Sequence, residues 1–321
     1  MDHVVEDRLK IFERFPFSPS EDEPIDRWLQ LAMGWDVRFA RYLIEELAPA
    51  NCTMIIDPFA GCGASCLAAQ RLNISAAAID AASVCVTATY GKTHASYEDR
   101  HLFNLPIADQ FPKSSDAGWL SELAEMTREY PLSVRAVVAT SAIDLNRPGR
   151  KGSLRDRLRK VMADLELQGP AMNASSVSVR WGDASDADAW DWVRDISPIG
   201  GSWLVLGSPP HPGSRGFGLA LGLAESRWCV DLAREIGSCG EVSGSGVAKV
   251  SLMMERITQI APRPSRVVLE YECREINGIR SCTFPASIAD RGRPVRVIRH
   301  YVESPDGKGG MVEGGVIVID V

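Results

Sequence analysis

The chain has 321 residues, 45% hydrophobic and 24% charged, with eight cysteines and a formal net charge of −7. This composition suits a globular chain long enough to bury a large core, contains no apolar run of about 18 residues that would cross a membrane, and is too acidic for a protein that coats nucleic acid over its whole surface. The opening MDHVVEDRLK is acidic where a secretion signal would be basic and then apolar, so the expected location is cytoplasmic, away from membranes. The cysteines are scattered, without a CxxC pair or zinc spacing; reduced thiols and no metal are expected.

Residues 1–50 read as an N-terminal helical segment. IDRWLQLAMGWDVRFARYLIEELAP carries apolar residues three and four apart and ends at Pro49, behind a proline-broken FERFPFSPSEDEP. TMIID (Thr53–Asp57) is the first buried strand expected, and it runs through DPFAGCGAS into a helix from Ala64 to Leu72. SAAAID (Ser75–Asp80) follows, then a helix from Ser83 to Ala95. From 96 to 175 the alternation stops. This interval holds a WLSELAEMTREY helix, the apolar LSVRAVVAT and the basic RPGRKGSLRDRLRK, and it reads as an insertion that covers or extends a site. Strands resume at Ser176–Trp181, Ser202–Gly207 and Arg266–Glu272, with a helix from Val247 to Pro262 before the last of them. PVRVIRHYV and GGVIVIDV, joined by a glycine-rich loop, then suggest an antiparallel pair at a sheet edge. Strand and helix in alternation predict a doubly wound α/β sheet, with 51–95 and 176–321 as its core.

Three strand ends carry chemistry. After Asp57, the glycines Gly61 and Gly63 let a ligand approach the main chain ahead of a helix N-terminus. Asp80, some twenty residues on, stands where a carboxylate holds ribose hydroxyls. The third glycine of a dinucleotide loop is absent, which disfavours that ligand. Asp183 could accept from an adenine amino group. WLVLGSPPHPG then runs a strand into Ser208, Pro209, Pro210 and His211, where prolines fix the turn and leave carbonyls free to accept. Arg147, Arg150, Lys151, Arg155, Arg157 and Arg159 lie in the basic stretch, which is either a solvated helix face or a phosphate-contacting patch.

DPFAGCGAS followed by GSPPH resembles the amino-methyltransferases of DNA, which use S-adenosylmethionine (SAM) and carry a DPFxGxGT-type loop and an (S/D/N)PP(Y/F/W) tetrapeptide. The resemblance implies a class I SAM-dependent methyltransferase (Rossmann-like) fold: a seven-stranded, mostly parallel sheet with an antiparallel edge pair and an insertion. It implies that Asp57, Pro58, Phe59, Gly61 and Gly63 frame the methionine part of SAM, that Asp80 holds the ribose and Asp183 the adenine, and that Phe15, in RFPFSP, belongs to the methionine-contacting region. Ser208, Pro209, Pro210 and His211 would form the reaction centre for cytosine N4, or adenine N6, of DNA in a modification or restriction–modification setting. The sequence departs from the family at Ala64-Ser65 and at His211, which stands where an aromatic ring stacks on a flipped base. RNA or a small-molecule amine is the other acceptor class, and a non-catalytic SAM- or DNA-binding subunit is the reading outside enzymes.

Overall fold

A computed structural model of the chain describes residues 4–7, 25–29, 35–105, 118–146, 151–169, 176–209, 226–239, 246–262, 265–276, 279–282, 295–303 and 311–321. Its centre is a parallel sheet of β2 (Cys52–Asp57), β3 (Ser75–Asp80), β4 (Val177–Gly182), β5 (Ser202–Gly207) and β7 (Arg266–Ile276), ordered β7-β5-β2-β3-β4. The order reverses at β2, so the chain builds outward first to one side and then to the other, and ligands of such sheets bind beyond the carboxyl ends of the strands at that switch. β10 (Met311–Asp320) lies antiparallel between β7 and β9 (Val295–Glu303). The seven-strand order β9-β10-β7-β5-β2-β3-β4, with one reversed strand, is that of the class I methyltransferase fold.

Two details differ from the sequence reading. The tail strands are antiparallel as expected, but they are not the rim: β1 (Val4–Asp7) pairs in parallel with β9, matching Val4 to Arg296. The first fifty residues therefore contribute a strand as well as helix. β1 has four residues, too few for alternation to show. Short β6 (Ser238–Cys239) adds to β4, and β8 (Ile279–Cys282) pairs with the far half of β7.

Strands buried on both faces send alternate side chains to two cores. Ile55, Leu204, Leu206 and Val268 pack in one apolar cluster with α1 (Val37–Leu47), α2 (Ala64–Arg71), α3 (Ser83–His94) and α8 (Arg227–Ile236). Met54, Ile56, Val205, Val267 and Leu269 pack in the other, with α7 (Ala187–Ile196) and α9 (Gly246–Ile260). α1 buries Val37, Phe39, Ala40, Leu43, Ile44 and Leu47, the one-sided stripe its spacing predicts. Both of its ends are tied to β7: Arg266 donates to the Leu47 carbonyl at 2.8 Å, and Trp35, just ahead of the helix, donates from Nε1 to Glu270 at 2.7 Å. Asp36 caps the helix, accepting from the Arg38 amide at 2.7 Å.

The interval from 96 to 175 forms a second helical layer. α5 (Leu132–Leu145) packs on α3 and α8; α6 (Leu154–Gln168) and α4 (Gly118–Met126) pack on α5. α5 is buried around nearly its whole circumference, which explains why LSVRAVVAT shows no one-sided pattern.

Candidate functional site

Asp57 and Asp80 close neighbouring strands, and the glycine turn lies between them. The Asp57 carboxylate is buried and accepts from the Phe59 amide at 3.0 Å through Oδ1 and from the Ser65 hydroxyl through Oδ2. Asp80 accepts from the amides of Gly61 and Ala82, each at 2.8 Å. The turn adopts left-handed backbone at Gly61 (φ 54°) and Gly63 (φ 84°), and the Gly61 carbonyl accepts from the Thr89 hydroxyl of α3 at 3.2 Å. A Cβ on Gly63 would stand 3.0 Å from Thr89 Cγ2, so a larger residue there meets both strain and contact. The loop is thus held from both sides before any ligand arrives.

Loss of solvent pushes Asp57 up to about 7, against the pull of its two hydrogen bonds, and the charge on Asp80 adds to the rise. Asp80 is pushed up to about 6, again chiefly by loss of solvent. Two carboxylates so placed favour a ligand that brings a positive charge and hydroxyl donors.

Asp183, one residue past β4, is buried, and its Oδ1 accepts from the Ser185 amide at 3.0 Å and hydroxyl at 2.8 Å. It follows the strand end next to that of Asp80: β4 and β3 are paired through Trp181 and Asp80, which leaves Asp183 two residues past that pair, and the Trp181 indole donates to the Ala81 carbonyl at 2.9 Å. On the other side of β2, the end of β5 abuts the glycine turn. A Cβ on Gly207 would lie 3.2 Å from both Phe59 Cδ2 and Pro58 Cδ. Ser208 and Pro209 follow directly, so the chain brings the strand ends of Asp57, Asp80, Asp183 and Ser208 to one edge of the sheet.

Phe15, Pro210, His211, Arg147 and Arg150 lie outside the described residues. Of the other basic positions, Lys151 and Arg159 are exposed, and Arg159 is 3.7 Å from Asp156. Arg157 turns inward, 2.5 Å from Asp144, whose side chain is 2% exposed. These cations stand on α6 and its approach, in the outer helical layer.

Sequence reasoning did not single out Ser65 or Thr89, which hold the loop, nor the bond between Trp35 and Glu270 of β7. An acid inside the apolar run VVLEYE was the available signal for Glu270. Among the described residues, no group of three or more His, Cys, Asp or Glu side chains is placed to hold a metal, and no helix is long and apolar enough to cross a membrane.

No protein-family model matches the chain, and no curated protein matches it in sequence. Solved structures that resemble it include the rRNA methyltransferase aviRa from Streptomyces viridochromogenes, at 14% identity and a TM-score of 0.41, covering 94% of this chain and 93% of that one. The glycopeptide N-methyltransferase MtfA is similar at 11% identity and a TM-score of 0.30, covering 87% and 93%. The strand order, and not these likenesses, identifies the fold.

Proposed function

We propose that the chain is a SAM-dependent N-methyltransferase whose acceptor is an exocyclic amine of DNA, cytosine N4 first and adenine N6 second. One observation carries this reading: Asp57 and Asp80 are bridged by a glycine turn whose amide binds Asp80, and Gly207, the residue before Ser208 and Pro209, lies against the same turn. The donor set fits SAM. A carboxylate pair suits an ammonium group and ribose hydroxyls, and Asp183, just past the end of the neighbouring strand β4, suits an adenine amino group.

SAM supplies an already electrophilic methyl group, so the protein's task is to position an amine. Ser208 and the Pro209 carbonyl, at the strand end beside the cofactor turn, can accept from the two hydrogens of one NH₂ group and so draw its lone pair out of the ring. Ser208→Ala should then slow transfer by roughly a hundredfold while barely altering SAM binding.

The net charge of −7 favours a second acceptor, a small-molecule amine. Calorimetric titration with SAM, followed by transfer of a tritiated methyl group to duplex DNA, RNA and an amine mixture, tests both. Binding with transfer to DNA supports the first reading, and transfer confined to the amine mixture supports the second. Failure to bind SAM refutes the cofactor assignment.

A further inference from the structure

The outer helical layer holds a polar pocket that the strand-end site does not use. Its volume is about 190 Å³, and one wall is a single face of α6, on which Asp156, Arg157, Lys160 and Asp164 recur at three-and-four spacing. Arg27 and Trp28, from the short turn Asp26–Trp28, supply a second wall, and Lys151 and Gly152 line it ahead of the helix. Gly152 has φ 105°, and a Cβ on it would meet nothing within 4 Å, so the main chain there is open to a ligand.

The charges around this pocket run against the balance of the chain. Four cations line it, Arg27, Lys151, Arg157 and Lys160, in a protein with 42 acidic residues to 35 basic ones. The two acids of the lining are already engaged: Asp164 accepts from the Arg27 guanidinium and the Trp28 indole, and Asp156 from the Ser153 hydroxyl at 2.7 Å. Asp144 of α5 holds Arg157. Carboxylates therefore fix both arginines in place. Lys151 and Lys160 are exposed and, among the described residues, have no carboxylate within 4 Å, so packing and ion pairing give them no task.

Size narrows the ligand. A pocket that encloses a whole small molecule has roughly 300–1,000 Å³, so this one suits a single anionic group whose parent molecule stays outside. A polynucleotide presents its phosphates in that way. We propose that the pocket seats one phosphate of a nucleic-acid strand, contacted by Lys151, Lys160 and Arg157, whose guanidinium keeps N–H donors beyond the Nη1 contact to Asp144. The inference deepens the proposed DNA-acceptor reading and rests on it. Such a contact carries no sequence information and fixes how the strand lies on the protein.

The test is fluorescence anisotropy of a labelled DNA duplex on the full chain, between roughly 50 and 200 mM salt. Lys151→Gln combined with Lys160→Gln removes two charges from exposed positions, and an unchanged Tm shows that the variant is folded. Because both lysines serve one phosphate, the slope of log affinity against log salt should flatten by about 0.9, one contact's worth, and affinity at 0.1 M salt should fall by roughly fivefold to tenfold. Arg194→Gln, which removes an exposed cation paired with Asp191 on α7, should leave the slope as it is. A slope unchanged in the double variant overturns the inference. So does one flattened by about 1.8, which makes the lysines two separate surface contacts. Adenosine monophosphate that binds the wild type but not the double variant, while DNA binds both alike, overturns it too, because the pocket then takes a free phosphoester. In all three cases the DNA-acceptor reading stands, whereas a wild type that binds no DNA overturns that reading together with the pocket.

Discussion

Asp57 is the residue on which the site's charge balance turns. Its folded-state value of about 7 lies above the ordinary 3.8, so the native state binds this proton more tightly than the unfolded chain does. The stability Asp57 contributes is full below about pH 4 and is lost as pH rises through 7. Thermal melts of the ligand-free protein should therefore show a fall in Tm between pH 5 and pH 8 that Asp57→Asn makes shallower, and a cationic ligand should restore most at the alkaline end. Gly63 is the second residue with a decisive geometry. Gly63→Val forces a branched side chain into left-handed backbone and against Thr89, at a cost of about 1–3 kcal/mol seen in denaturant midpoints. Adding Thr89→Ala should recover the contact part of that loss and leave the backbone part. The loop's glycines and acids were legible in the sequence because spacing alone marks a strand-to-helix turn. Ser65 and Thr89 were not, since their roles depend on which helix side chain reaches back over the turn.

At the scale of elements, α3 and α5 cross closely at Gly91. A Cβ there would stand 3.0 Å from Val137 Cγ2 and 3.1 Å from the Val137 amide nitrogen. Helix propensity alone would favour Gly91→Ala by about 1 kcal/mol, but a backbone atom cannot move aside as a side-chain tip can. Overpacking at about 1–3 kcal/mol should win, and chemical denaturation should find the variant less stable than the parent. The core strands were readable because runs such as WLVLG, apolar on both faces, sit between glycines and acids. α5 was harder: a helix enclosed by α3, α8, α4 and α6 has no polar side to give it a period. β1 and the rim position it takes were out of reach for a related reason, since its pairing with β9 joins opposite ends of the chain.

At the scale of the molecule, the helical layer is fastened to the N-terminal segment through buried charge. Asp164, fully buried on α6, accepts from the Arg27 guanidinium and, at 2.9 Å, from the Trp28 indole. Removing the acid leaves the buried Trp28 indole without this acceptor while the part-exposed Arg27 can turn to water, so Asp164→Ala should cost about 1–3 kcal/mol, measurable as a lowered midpoint in urea. Arg157 is bound to Asp144 in the same way and belongs with this fastening. A nucleic-acid test of this layer is therefore cleaner at Lys151 and Arg159: neutralising these two should flatten the salt dependence of DNA affinity by up to about two phosphate contacts. A slope equal to the parent's returns the stretch to solvated surface.

The position of β5 between β2 and β7 sets an order of assembly. The cofactor turn after β2 is synthesised early, yet one of its walls is Gly207, and the strand that brings Gly207 must dock between β2 and β7. Loop closure of that span comes before any reward from the contacts it makes. A nascent chain on the ribosome thus holds Asp57 and Asp80 long before it holds a binding site, and it gains that site only when the second half of the sheet has emerged to close around the first.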